Sequence, residues 1–419
     1  MSPLFRQKHK PDYYQHFTVL DIGSRFVKVL ILSRQGSDAT VLGVAKEPQA
    51  PDSIQNGAIV ELDRVIEAAN RALETAEDMA GVIPGLATVG LAGELVKGFS
   101  SSVAYPRERP ESRVRESELR NMLQLVQRRA LHEAEHQLEL ERAYRNLEAR
   151  LVQSNITRVR IDGYPVANPV GYQGRHMDLT VFNTFAPFTQ VGAVETVARD
   201  LDLDLVNMVS QPYAVARACA GDDAWEEGGI FIDVGGATTN VALLREGAVE
   251  GTRMFNLGGQ ALTRRLANEL GLSLQDAEAR KLRHSEGVLS ASERKQVSRL
   301  LSGDVEVMLQ GLHVSLVELA RDDLLPANLY ISGGASLMPE LVQELLKPDW
   351  RDGLSFVREP DVRRLGPHDV RNVTDATGLL DNPQDVTPLS LANHFLHQGS
   401  DEDNLMNSVM QGVLKGLRV

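Results

Sequence analysis

Asp21 and Asp233 each close an apolar run, and each is followed by glycine and hydroxyl residues before an apolar run resumes. The second stretch, IFIDVGGATTNVALL at residues 230–244, reads as strand, tight turn and strand. Its glycines let backbone N–H groups approach an anion, and its threonine hydroxyls add donors. A carboxylate beside a phosphate cradle is unfavourable unless a divalent cation lies between them, so Asp233 points to a metal. The first stretch, FTVLDIGSRFVKVLILS at residues 17–33, has the same grammar, and Lys28 alternates onto a face from which a cation reaches phosphate. A Gly-Gly turn also suits a plain β-hairpin, and Lys28 also suits a solvated strand position. Two such turns in one chain imply a duplicated architecture with a phosphate chain between its halves.

The elements that must position these loops follow from periodicity. A third strand is expected over 41–46, a helix over 62–79 and a returning strand over 87–92. The composition shifts at Lys97. A segment rich in Pro, Arg and Glu leads into a charged helical stretch at 116–153, read as one long helix or two with a break, and then into alternating strands punctuated by Gly and Pro. Residues 97–176 therefore read as a small α+β insertion. A helix over 190–200 and a strand over 203–209 precede Ser210-Gln-Pro-Tyr213, where Pro212 suits a first helical turn. Beyond the second loop, a strand over 248–256 breaks at Gly258-Gly259, and helices are expected over 260–270, 273–283 and 304–319. A buried strand over 328–332 ends in Gly333-Gly334-Ala335-Ser336 ahead of another helix, and Val386 opens a last one. Glycine pairs after strands, each opening a helix, let backbone approach a bound base or sugar.

Composition narrows the class. A chain of 419 residues implies two to four domains. Its net charge of -13 argues against a general nucleic-acid binder, which needs a basic surface. The single cysteine, Cys219, excludes an intramolecular disulfide, fits a reducing compartment and reads as a core thiol. The basic N-terminus is followed by no apolar signal region, and no run of about 18 apolar residues is evident, so a soluble, cytoplasmic protein is expected.

Taken in order, these stretches resemble the ATPase superfamily of actin, hexokinase and the heat-shock chaperones, and within it the bacterial cell division family FtsA. DIGSRFVK at 21–28 and DVGGATTN at 233–240 look like its two phosphate loops, and ISGGASLMPE at 331–340 like its adenosine motif. QPYAVARA at 211–218 resembles its connecting helix, and DAEARKLRH at 276–284 the helix that meets the ribose. NPVGYQG at 168–174 resembles a motif of FtsA's own inserted SHS2-type subdomain.

The resemblance, which covers roughly residues 17–398, implies an α/β fold: an actin-like, two-lobed ATPase of duplicated ribonuclease H-like domains with ATP and Mg²⁺ in the cleft. Asp21 and Asp233 would hold Mg²⁺ and its waters. Gly23, Ser24, Gly235, Gly236 and Thr238 would hold the phosphates, assisted by Lys28. Gly258 and Gly259 would let backbone approach the nucleotide, Glu278 and Lys281 would contact the ribose, and Gly333, Gly334 and Ser336 would face the adenosine. Gln211 falls where a water-orienting residue is expected and where FtsA-like sequences usually carry Glu. An amide orients water but accepts no proton at neutral pH, so at most slow hydrolysis is expected. Ala237 for Gly and Asn240 for Asp are further departures.

The implied layout is an N-terminal tail at 1–16, a first-lobe core at 17–96 and 177–217 with the insertion at 97–176, a second-lobe core at 218–257 and 327–398, and a reduced outer subdomain at 258–326. A linker and a C-terminal helix fill 399–419. In FtsA the outer subdomain meets the tail of the tubulin-like protein FtsZ, so an FtsZ-like protein and further copies of the chain itself are the implied partners. At 100° per residue, Leu405, Met406, Val409, Met410, Val413, Leu414 and Leu417 share one half of the C-terminal helix. That face suits the inner surface of the cell membrane, or equally packing on protein. The implied function is a membrane-associated, polymerising scaffold of cell division. A PilM-like cytoplasmic adaptor of type IV pilus assembly is the alternative. A metabolic kinase of the same superfamily would need a catalytic acid in a sugar pocket, and no such constellation is evident.

Overall fold

A computed structural model describes residues 15–140 and 148–397. The chain opens with three antiparallel strands, β1 (His16–Ile22), β2 (Phe26–Gln35) and β3 (Asp38–Pro48). A two-strand ribbon, β4 (Ile54–Gln55) and β5 (Ala58–Ile59), leads to α1 (Leu62–Ala80), which buries Val65, Ala68, Ala69, Ala72, Leu73 and Ala76. That spacing is one helical face, and Gly81 in the left-handed conformation ends it. Strand β6 (Leu86–Leu91) then pairs parallel to β1.

The insertion follows. It comprises β7 (Lys97–Pro106), α2 (Glu116–Leu140), β8 (Ala149–Ile161), the short β9 (Tyr164–Pro165) and β10 (His176–Pro187). β10 is sandwiched between β7 and β8, and α2 packs Leu119, Met122, Leu123 and Val126 on this sheet. The helix expected to reach residue 153 does not. Residues 149–153 belong to β8, whose long-range pairing with β10 overrides the helical charge pattern of the preceding segment.

Helix α3 (Phe188–Asp200) and strand β11 (Asp204–Ser210) complete the first sheet, and α4 (Gln211–Cys219) with the short α5 (Asp222–Glu227) crosses to the second half. There β12 (Gly229–Val234), β13 (Thr239–Arg245) and β14 (Ala248–Phe255) form a second antiparallel trio. Helices α6 (Gly259–Leu270), α7 (Leu274–Ser285) and α8 (Ala291–Ala320) follow, then β15 (Asn328–Ser332), α9 (Pro339–Leu345), β16 (Asp361–Arg364), β17 (Val373–Asp375) and α10 (Val386–His397).

The two sheets repeat one topology. The first runs β11-β6-β1-β2-β3 with β17 at its edge, and the second contains β16-β15-β12-β13-β14. Each is an antiparallel trio extended beyond its first strand by two further strands, each parallel to its neighbour. Helices α4 and α10 lie in the shared core between the sheets, where Phe17 stacks on Phe395 at 4.0 Å and Phe182 on Tyr213 at 4.5 Å. The insertion extends the second sheet through β7, which pairs with β14 only at Phe99–Gly251 and Gly98–Thr252.

Helix α8 begins thirteen residues before the expected Ser-Gly-Asp304 start, at a capping box of Ser290 and Glu293. An 18-residue window of it, with mean hydropathy 1.2, has the length and composition of a membrane span, contrary to the expectation of no such run. Its Val297, Leu301, Val305, Leu309, Leu312 and Leu316 are core residues of the second lobe, which is why the helix is apolar. The amphipathic segment with Leu405, Met406, Val409, Met410, Val413, Leu414 and Leu417 lies outside the described residues.

Candidate functional site

Both acids sit at the same place in their hairpins. Asp21 is the register partner of Lys28, and Asp233 of Asn240, so each acid faces the residue seven positions on. The parallel neighbours correspond too, Gly90 beside Asp21 and Ser332 beside Asp233. The two turns converge on one cavity of about 300 Å³, lined by Asp21, Gly23, Ser24, Lys28, Gln211, Asp233, Gly235, Gly236, Thr238, Gly259, Glu278, Lys281, Gly333 and Gly334. It opens onto a wider cleft of about 1280 Å³ that shares Ser24, Arg25, Phe26, Gln260 and Glu278 and takes in Gly258.

The two acids differ in how they are neutralised. Asp21 accepts hydrogen bonds from Gln211 Nε2 at 2.8 Å and Lys28 Nζ at 3.2 Å, and Lys28 also donates to the Gln384 carbonyl at 2.6 Å. Among the described residues Asp233 accepts only from Ser332 Oγ at 3.2 Å and Asn240 Nδ2 at 3.4 Å, both neutral donors. Burial, with Asp21 as a like charge, pushes the Asp233 carboxyl up, against the opposing pull of Lys28. Asn240 Oδ1 is buried without a hydrogen-bond partner. An enclosed acid short of positive charge, next to an unused carbonyl oxygen, is an environment that gains from a hard cation. Among the described residues no three His, Cys, Asp or Glu side chains converge, so a cation here needs oxygens from a ligand and water as well.

The turns are built from close backbone approaches. Gly23 N donates to Phe26 O at 3.0 Å and Gly235 N to Thr238 O at 2.9 Å, closing the two loops. Across the cleft, Ala237 N donates to Ser24 Oγ at 3.0 Å. Gly259 N and Gln260 N, at the start of α6, donate to the carbonyls of Gly235 and Gly236. A side chain on Gly258 would stand 2.7 Å from both of those carbonyls, so Gly258 lets loop and helix meet. Gly333 has φ +84, and a Cβ there would lie 2.4 Å from Val234 O. Ser336 departs from expectation. It is fully buried and its hydroxyl donates to Gly333 O at 2.7 Å, so it closes its own turn, while Ala335 and Leu337 join the two glycines on the cavity wall.

On the other wall, Lys281 Nζ lies 2.9 Å from Glu278 Oε2, the Gly259 carbonyl and Thr263 Oγ1. Arg25 reaches Glu278 Oε1 from the first lobe at 3.3 Å. Burial opposes ionisation of Glu278, but Lys281, Thr263 and Arg25 outweigh it and hold the carboxyl below its usual range. Burial lowers Lys281, partly offset by Glu278. Both side chains line the cavity.

Three contributors are missing from the sequence reading. Lys46 lines the cavity as the register partner of Lys28, and partial burial together with the Lys28 charge brings it down to about 8. Arg25 lies inside the first loop. The turn at 382–385, shaped by an Asn382–Asp385 capping box, brings the Gln384 carbonyl to Lys28. The signal for the last was available in Asn-Pro-x-Asp ahead of α10. Arg25 and Lys46 are visible only once the strands are paired.

The geometry offers stacked lysines, hydroxyls and backbone N–H groups around two acids, which suits a polyphosphate with a divalent cation. Residues 230–378 match the model of the family "Cell division protein FtsA". The chain is 24% identical over 407 residues to the cell division protein FtsA of Pseudomonas aeruginosa, covering 91% of this chain and 89% of that one. It is 22% identical to FtsA of Streptococcus pneumoniae, covering 78% and 72%. Among solved structures, a PilM-PilN type IV pilus biogenesis complex superposes with a TM-score of 0.62 at 18% identity over 90% of this chain and 97% of that one. With the duplicated sheets and paired loops, these likenesses show that the chain is similar to FtsA cell division proteins along most of its length and has an actin-like fold.

Proposed function

We propose that this protein binds ATP with Mg²⁺ in the cleft and acts in bacterial cell division as a membrane-associated, polymerising actin-like scaffold. The observation that carries the nucleotide is the convergence of two equivalent hairpin loops, with Asp21 and Asp233 in register-matched positions, on one cavity. Asp21 and Asp233 would hold Mg²⁺, whose chemistry is to neutralise phosphate charge. Ser24, Thr238 and the loop backbone would hold phosphate oxygens, with Lys28 and Lys46 adding charge. Glu278 and Lys281 would meet the ribose, and the Gly333-Gly334 turn the base.

The division role rests on likeness to FtsA proteins along most of the chain. The likeness to PilM is one of fold and adds no separate argument for a pilus role. An FtsZ-like partner would meet the outer part of the second lobe, which in the described residues 258–326 consists of three helices without a strand. Gln211, hydrogen-bonded to Asp21, offers no base for water, so the nucleotide is held longer than it is cleaved. Residues 404–419 would bind the membrane, each copy weakly and a polymer by avidity. Electron microscopy on a lipid monolayer tests this reading. Filaments with ATP, lost on truncation before Asn404, are expected; dispersed particles under both conditions would overturn the scaffold.

A further inference from the structure

The chain carries -13 net charge, yet one groove away from the cleft is positive. It has a volume of about 710 Å³ and lies where the insertion meets the second lobe. Four basic residues, Lys97, Arg129, Arg253 and Arg321, line it against two acids, Glu133 and Glu318. Arg253 is committed to Glu318 at 2.6 Å. Arg129, on α2, and Arg321, at the end of α8, are exposed and have no ion pair or hydrogen bond among the described residues. Ser100, Ser101 and Ser102 of β7 also line it, over the buried ring of Phe99. One turn before Arg321, Val317 is 52% exposed, and Val314 beyond it 57%.

Two backbone features mark the same place. Strands β7 and β14 part after their two register pairs, and Ser100 Oγ, not a ladder N–H, satisfies Val249 O at 2.8 Å. The outer edge of β7 at Ser101 and Ser102 therefore faces the groove without β14 alongside. Arg321 caps α8 at φ 48 and ψ 43, the left-handed conformation that a helix end ordinarily gives to glycine. An arginine there costs backbone energy that a glycine would not, and among the described residues no hydrogen bond or ion pair of its side chain offsets that cost.

We infer that this groove docks a carboxylate-rich segment of a partner protein, with Arg129 and Arg321 taking its Asp or Glu side chains and Val314 and Val317 its apolar ones. Guanidinium groups bind carboxylates through two parallel N–H donors, and a segment of opposite charge is steered to a positive region of an acidic surface. The inference is independent of the nucleotide reading, since no groove residue lines the cleft.

Fluorescence anisotropy of the full chain with a short fluorescein-labelled peptide of Asp, Glu and spaced Leu tests it. A peptide with Lys in place of the acids, and vesicles containing anionic lipid, are the comparisons. Binding of the acidic peptide alone, weakening as salt rises, is expected. The R129E/R321E pair should lose about tenfold or more in affinity, and R129Q/R321G, which relieves the left-handed arginine, should lose binding without loss of thermal stability. No binding of the acidic peptide, equal binding of the basic one, unchanged affinity in both variants, or binding of vesicles instead would overturn the inference.

Discussion

Lys281→Met offers a test of the buried pair that lines one wall of the cavity. The side chains of Lys281 and Glu278 are only 9% and 10% exposed. Removing one member of a buried ion pair costs roughly 3–5 kcal/mol, because the other charge stays behind unpaired. Here the residue left behind is not wholly abandoned. Thr263 Oγ1 donates to Glu278 Oε2, and Arg25 stands 3.3 Å from Oε1. The expected loss therefore falls to about 2–3 kcal/mol. Replacing both partners, as Glu278→Leu with Lys281→Met, removes the stranded charge, so the double variant should be no less stable than Lys281→Met alone. Urea unfolding read by Trp350 in a Trp225→Phe background isolates the second lobe, because Trp350 packs on that core and donates to Leu345 O. Additive costs, with the double variant losing the sum of both single losses, would refute the reasoning.

Asp233→Asn should raise the stability of the ligand-free protein at neutral pH while removing Mg²⁺-dependent nucleotide binding. The folded carboxyl is shifted up, so the stability it subtracts appears as pH rises above the unfolded value near 3.8 and persists at neutral pH. Melting curves of variant and parent should therefore converge at low pH, and a variant less stable at pH 7 would contradict this. His394 runs the other way. Burial lowers it to about 3, so its contribution is present above about pH 6.5 and is lost on acidification by roughly 1.4 kcal/mol per pH unit. His394→Asn should flatten the stability profile between pH 6 and 4, and an unchanged slope counts against it. Gly333→Ala should destabilise by about 2–4 kcal/mol, from positive φ and overlap with Val234 O, measurable by the same urea titration. Cys219 is buried and its thiol is pushed up to about 12, so it should resist Ellman's reagent until the chain unfolds.

Much of this site is readable from local sequence because its parts are turns. An acid at a strand end followed by glycine and hydroxyl residues has one geometry wherever it occurs, and both loops adopt it. The glycines at 333 and 334 line the cavity for the same reason. Ser336 does not, since facing a cavity and closing a turn demand the same hydroxyl, and only the φ of Gly333 decides between them. Lys46 and Arg25 enter through strand register and lobe approach, which are long-range facts. The start of α8 was signalled by Ser290 and Glu293, but the apolar spacing strengthens only after Asp304 and draws attention there. Residues 149–153 carry a charge pattern that fits helix or edge strand, and their pairing with β10 settles it.

Equilibrium dialysis of the full chain against labelled ATP tests the central claim most directly. One ATP retained per chain in Mg²⁺, and none with EDTA or in Asp233→Ala, is the predicted result. No retention by the parent chain in Mg²⁺, or equal retention by Asp233→Ala, would contradict a two-loop nucleotide site.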